Sequence, residues 1–216
     1  MRINNFEANI YDVLGYFLPG LLFILQIFLL FNDFNIVVEK IRKLSYGEIF
    51  LIIISSYIIG HLIQSFSNIL EKFLLKIPIL KKIIGLPTYE YLSEKNNFYS
   101  IEFKKSIMKA GREVFGIEKL TEKELFNLCY SLVQQKVEKN RLDLFVSLYG
   151  FYRGLSYACL IGFVLFVIKF DFMISSIFLA SWILFLQRYK RFSSYFEDYV
   201  YRDFYIYYLT DYKNHE

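Results

Sequence analysis

Four long apolar runs constrain this chain more than any other feature. Val13–Phe31 is nineteen residues with one strongly polar side chain, Gln26. Residues 49–66 make eighteen more, whose sole titratable basic group is His61. Residues 155–170 and 172–186 add runs of sixteen and fifteen, parted by Asp171. At 1.5 Å per residue, roughly 17–20 helical residues cross a hydrocarbon core about 30 Å thick. The first two runs fit outright, and the shorter two need flanking Tyr, Trp and Lys at the interface. A buried helix of a water-soluble protein can carry one such run, but four in 216 residues point to lipid as the solvent. The expected fold class is an all-α integral membrane protein: four transmembrane helices, with a helical cytoplasmic module between the second and third.

Composition agrees. Apolar residues make up 56% of the chain, against about 45–50% in an average soluble protein. That excludes disorder, collagen and coiled coil. Cys129 and Cys159 share no ligand spacing, so neither a disulfide framework nor a zinc site is expected. The first run is expected to stay as an anchor and not to be cleaved. Arg2 before it is set against Glu7 and Asp12, and bulky residues, Phe31–Asn32–Asp33–Phe34, follow it.

The charges divide the chain into an N-terminal hairpin (residues 1–66, helices about 13–31 and 49–66), a module (67–148), a second hairpin (149–187) and an aromatic tail (188–216). The module holds fourteen Lys and Arg against ten acids. With four spans, twenty-one of the twenty-five Lys and Arg share a side with both termini, and Lys40, Arg42, Lys43 and Lys169 lie opposite. The positive-inside bias therefore predicts a multi-pass protein of a bacterial inner membrane with termini and module cytoplasmic. Within the module, Phe103, Ile107, Ala110 and Val114 recur at helical spacing, and Thr121–Glu122–Lys123–Glu124 has the capping-box pattern. Leu125, Leu128, Leu132 and Val133 continue a helical stripe behind it, while Gly85, Leu86 and Pro87 predict a bend.

Three groups of residues stand out. On the second segment Tyr57, His61, Gln64, Ser65 and Asn68 form a polar row, with Ser56 and Gly60 at its margin and Glu71 beyond the membrane. An unpartnered polar group in hydrocarbon costs several kcal/mol, so the row is expected to turn away from lipid. It serves either as interhelical glue or, with copies from several subunits, as the lining of a polar pathway in which His61 changes charge. In the first segment Asp12, Gly15, Pro19 and Gly20 predict a kink, because Pro19 cannot donate to the Gly15 carbonyl. That kink reads either as an ordinary kinked anchor or as a hinge. At the membrane interface Arg153, Arg188, Lys190 and Arg191 are expected to reach lipid phosphate; Arg153 alternatively pairs with Asp12 or Glu71. Beyond Arg191, Phe192, Phe196 and Tyr199 share a helical face, as do Tyr201, Tyr205 and Tyr208. That tail should pack on the module or lie among the headgroups.

Catalytic patterns are missing: there is no GxxxxGK[ST], GxGxxG, GxSxG or HExxH. No arginine stands upstream of either histidine, His61 or His215, with four to six residues between them, so an Arg-x(4–6)-His arrangement cannot form. No enzyme, cofactor or metal is expected. Nucleic acid is disfavoured as a partner, since anionic lipid already accounts for the module's modest net positive charge.

Tyr11–Asp12–Val13–Leu14–Gly15–Tyr16–Phe17–Leu18–Pro19–Gly20, Tyr57–Ile58–Ile59–Gly60–His61–Leu62–Ile63–Gln64 and the tail Tyr199–Val200–Tyr201–Arg202–Asp203–Phe204 resemble segments of small bacterial four-span membrane proteins of antiviral defence loci. Those proteins include the transmembrane accessory proteins of type VI-B CRISPR systems. The resemblance covers about thirty residues and carries no active site; one accessory branch has an Arg/His ribonuclease-like motif that this chain lacks. It implies a membrane-embedded, homo-oligomeric effector or modulator of defence that perturbs permeability on a cytoplasmic signal, with the bilayer and a cytosolic defence protein as partners. The alternative is a non-conducting anchor or scaffold. A small transporter subunit fits less well, as neither inverted repeats nor intramembrane carboxylates are present.

Overall fold

A computed structural model describes residues 12–74, 76, 92, 99–136 and 139–213. The bend expected at Gly85, Leu86 and Pro87 and residues 1–11 lie outside the described residues. Among the described residues every regular element is helical. A π-helical turn at Val13–Phe17 leads into α1 (Leu18–Phe31). Then come α2 (Phe34–Arg42), α3 (Tyr46–Leu74), α4 (Ile101–Phe115), α5 (Glu122–Lys136), α6 (Lys139–Ile168) and α7 (Phe172–Tyr207), the last closed by a π-helical turn at Tyr208–Tyr212. Four stretches are long and apolar enough to cross a membrane: Val13–Phe31, Tyr46–Leu74, Leu142–Ile168 and Phe172–Tyr212.

Local chemistry fixes the helix ends. Before α3, the Ser45 amide and hydroxyl both donate to Glu48 Oε2 at 2.7 Å, and the Glu48 amide returns a bond to Ser45 Oγ at 3.4 Å. Thr121 and Glu124 make the same reciprocal pair at the start of α5, at 2.9, 2.6 and 3.3 Å. Each box satisfies amides that the first turn leaves without helical acceptors. Helix α4 starts at Ser100, whose hydroxyl accepts from the Phe103 amide at 3.2 Å, and stops at Gly116 in the left-handed region. Between α6 and α7 the chain turns through Phe170 at φ 62°, and Asp171 Oδ1 accepts from the Ile174 amide at 3.1 Å. These devices make residues 155–170 and 172–186 two separate helical runs.

The chain divides into two compact units, residues 1–84 with 146–191, and residues 85–145 with 192–216. In the first, Ile63, Tyr157 and Ala158 are buried, with Leu22, Phe23, Ile59, Leu70 and Ile161 packed around them. In the second, Ile107 and Ala110 of α4, Leu125, Phe126 and Cys129 of α5, and Val200, Tyr201 and Phe204 of α7 share one core. The aromatic tail is part of that core. Phe126 meets both Phe196 and Tyr201 edge-on with ring centroids 5.7 Å apart, and Phe115 stacks on Phe204 at the same separation. Edge-to-face and offset contacts at such distances add roughly 0.5–1.5 kcal/mol per pair beyond the area they bury. Of the two placements open to the tail, packing on the module is the one observed.

Candidate functional site

The site lies in the first unit and is built on α3. Its buried residues are Ser56, Gly60, Ile63, Gln64 and Ser67. Ser56 donates to the Ile52 carbonyl at 2.6 Å and Ser67 to the Gln64 carbonyl at 2.7 Å, so both small hydroxyls are satisfied within the helix. Small side chains let α3 approach the N-terminal helix until backbones touch. A Cβ built on Gly20 would fall 2.7 Å from the Ser56 carbonyl carbon, and one built on Gly60 would fall 2.8 Å from Tyr16 Cα. Tyr16 and Gly20, Ser56 and Gly60 are each four residues apart, so the two contacts are reciprocal. This is small-residue membrane packing, in which backbone approach replaces a hydrophobic drive between helices.

Gln64 turns the contact into a lock. Pro19 has no amide hydrogen, which removes the α-helical donor for the Gly15 carbonyl. The Gln64 side-chain amide donates to that carbonyl at 3.0 Å and to the Gly150 carbonyl of α6 at 2.8 Å. One amide group therefore ties three helical segments together. Gln26, fully buried, ties α1 to α6 alone, donating to the Ala158 carbonyl at 3.1 Å. The kink residues thus act together: the chain makes a π-helical turn before Pro19, Gly15 and Gly20 are buried, and Asp12 lies at the head of that turn. No cap bond from the Asp12 side chain forms.

The polar row does not turn inward as a block. Gln64 is buried, but Tyr57, His61, Ser65 and Asn68 are exposed on the chain's surface. Helical geometry explains the correction. At about 100° per residue the row is centred roughly 100° around α3 from the face built on Ser56, Gly60 and Ser67. Ser56 and Gly60, expected only at the margin, are the true centre of packing, because they permit the closest approach. What the row does form is an aromatic–imidazole surface. His61 stacks on Tyr16 with ring centroids 3.7 Å apart and planes 18° apart, while Tyr57 meets it edge-on at 4.7 Å. Apolar Ile58 and Leu62, 55% and 63% exposed, flank it on the same helix.

No family model, curated protein or solved structure matches the chain.

A second polar group completes the site. Arg153 Nε donates to Glu71 Oε1 at 3.2 Å, with the two side chains 11% and 13% exposed, and its Nη2 donates to Asn68 Oδ1. The Tyr189 hydroxyl donates to the same Glu71 oxygen at 3.3 Å and lies 3.4 Å from the Tyr149 hydroxyl. Arg153 is therefore not a lipid-phosphate anchor, because its charge is consumed by Glu71 inside the unit. A desolvated guanidinium holds its place only with such a partner and further hydrogen bonds. Arg188 and Arg191 are exposed and Lys190 is half-buried. At the other end of α6, Lys169 Nζ donates to the Leu29 carbonyl at 3.2 Å, capping the last turn of α1. Sequence reasoning left Glu71 as one of two partners for Arg153 and passed over Gln26; a lone amide in an apolar run was its signal.

Proposed function

We propose that this chain is a homo-oligomeric, multi-pass protein of a bacterial inner membrane, with its termini and residues 67–148 on the cytoplasmic side. It acts as an effector that alters membrane permeability when the cytoplasmic part receives a signal, in a defence setting of the kind its sequence resembles. One observation carries the reading: Tyr57, His61 and Ser65 stand exposed on a helix long and apolar enough to cross a membrane. A polar row at that depth costs several kcal/mol against acyl chains and is relieved when a second copy covers it. Copies meeting there would place several imidazoles around one axis.

Flux from proteoliposomes tests it, with His61→Leu as the variant, since Gln64 belongs to the lock and its loss would disturb the fold. Ion or dye release by the wild type and its loss in a His61→Leu protein of normal thermal stability support the effector. Equal release by both removes His61 from the pathway.

The second reading is a non-conducting anchor for a cytosolic partner, and it too has an observation behind it. Both donor hydrogens of the Gln64 side-chain amide are spent on backbone carbonyls, so its amide faces no lumen within a single chain. Absence of flux together with oligomers cross-linked through a cysteine placed at position 65 favours that reading.

A further inference from the structure

The second unit carries a feature that the permeability reading leaves unused. Along one face of α4 runs a groove of about 480 Å³, lined by Leu92, Ile101, Lys104, Lys105, Met108 and Arg112, with Lys109 at its edge. Four cationic side chains thus converge on a depression whose other walls are apolar. Lys105 and Arg112 are exposed and lie two turns apart, about 10 Å along the helix axis. Lys109 is 3.7 Å from Glu113, which leaves part of its charge answered. Lys104 is buried, with 4% of its surface exposed, and is already partnered, so the cations open to an incoming anion are those at the rim. Ile101 is 57% exposed beside it.

We infer that this groove is a binding site for the headgroup of an anionic phospholipid. A phosphodiester answers the cations, and Leu92, Ile101 and Met108 suit the glycerol and first methylenes that follow it. Among the described residues none that lines the groove is aromatic, so these side chains offer no platform on which nucleic-acid bases could stack. Lipid phosphate is also the anion that a chain with four membrane-length helices meets at highest concentration. The inference rests on residues 67–148 lying at a membrane face, as in the proposed function, and not on the protein conducting anything.

The test is amide hydrogen exchange over residues 101–115 of the full chain in nanodiscs, read separately from flux. Nanodiscs of phosphatidylcholine alone are compared with nanodiscs in which about a third of the lipid is phosphatidylglycerol. Each basic residue near an anionic leaflet contributes about fivefold to partitioning. Lys105 and Arg112 together therefore account for about twenty-five-fold, so protection should rise about twenty-five-fold or more with phosphatidylglycerol, and Lys105→Gln with Arg112→Gln should remove about that much of the rise. Raising the salt on the wild type should diminish the protection in the same way without any substitution. Equal protection in both nanodiscs overturns the site. So does protection in phosphatidylcholine nanodiscs by excess inorganic phosphate, which would make the ligand a free anion, or by single-stranded RNA, which would make it nucleic acid. Loss of flux with protection intact removes the permeability reading and leaves the lipid site standing.

Discussion

Replacing Gly60 by alanine tests the packing on which the first unit depends. The new Cβ would sit 2.8 Å from Tyr16 Cα, and closer still to the Tyr16 carbonyl. Carbon atoms in contact settle at about 3.5–4.0 Å, so α3 and the N-terminal helix must part by about 1 Å. Overpacking of this kind costs about 1–3 kcal/mol. The same displacement stretches the Gln64–Gly15 bond from 3.0 Å to a length at which it no longer holds. An interhelical bond in a membrane protein contributes about 0.6 kcal/mol on average and up to about 1.7. The combined loss is about 2–4 kcal/mol. Gly47 of the same helix supplies the control, because a Cβ there meets nothing within 4 Å and Gly47→Ala reports only the helix-propensity gain. Steric-trapping or dodecyl sulfate titration in mixed micelles measures both variants. A Gly60→Ala protein within about 0.5 kcal/mol of the Gly47→Ala protein would refute backbone contact between these helices.

Three other outcomes follow from the geometry. Glu71→Gln should destabilise the first unit by about 3 kcal/mol or more by stranding the Arg153 guanidinium, and Arg153→Met added to it should restore part of the loss; losses that simply add in a double-mutant cycle would show the pair to be uncoupled. The Thr121 hydroxyl and, after it, the Thr121 amide hold the Glu124 carboxyl below its ordinary range. Its contribution is therefore fully present above the unfolded value of about 4.3 and is lost as pH falls through the lower folded value. The stability difference between wild type and Glu124→Gln should accordingly shrink between neutral pH and about pH 3 in denaturant titrations, and a gap that widens would contradict the capping box. Burial pushes the Cys129 thiol up, so maleimide should label it only at the rate at which the second unit opens; rapid labelling of native protein would place Cys129 at the surface.

Periodicity and hydropathy made the four long apolar helices legible, since each depends only on local sequence. The Thr121–Glu124 cap was legible for the same reason, and Ser45 with Glu48 carries the same pattern. The short helix α2 was not anticipated: its nine residues mix five apolar with four polar side chains, and only Val37 is buried. Placement of faces was harder. The polar side chains of α3 drew attention to the row through His61, whereas the closest packing belongs to Ser56 and Gly60, whose merit is to be small. No local pattern tells which of two acids Arg153 meets, because that choice depends on how α3 and α6 pack. The role of Gln26 was hidden likewise, its acceptor being a backbone carbonyl 132 positions away.

The proline at position 19 and the amide at position 64 constrain one another. An alanine at 19 would return a donor to the first helix's own ladder, so that the carbonyl at 15 would no longer solicit help from across the bundle. A leucine at 64 would then cost far less than it does beside proline. Chains that share this architecture should therefore vary the two positions in concert, and a proline–leucine combination should be rare among them.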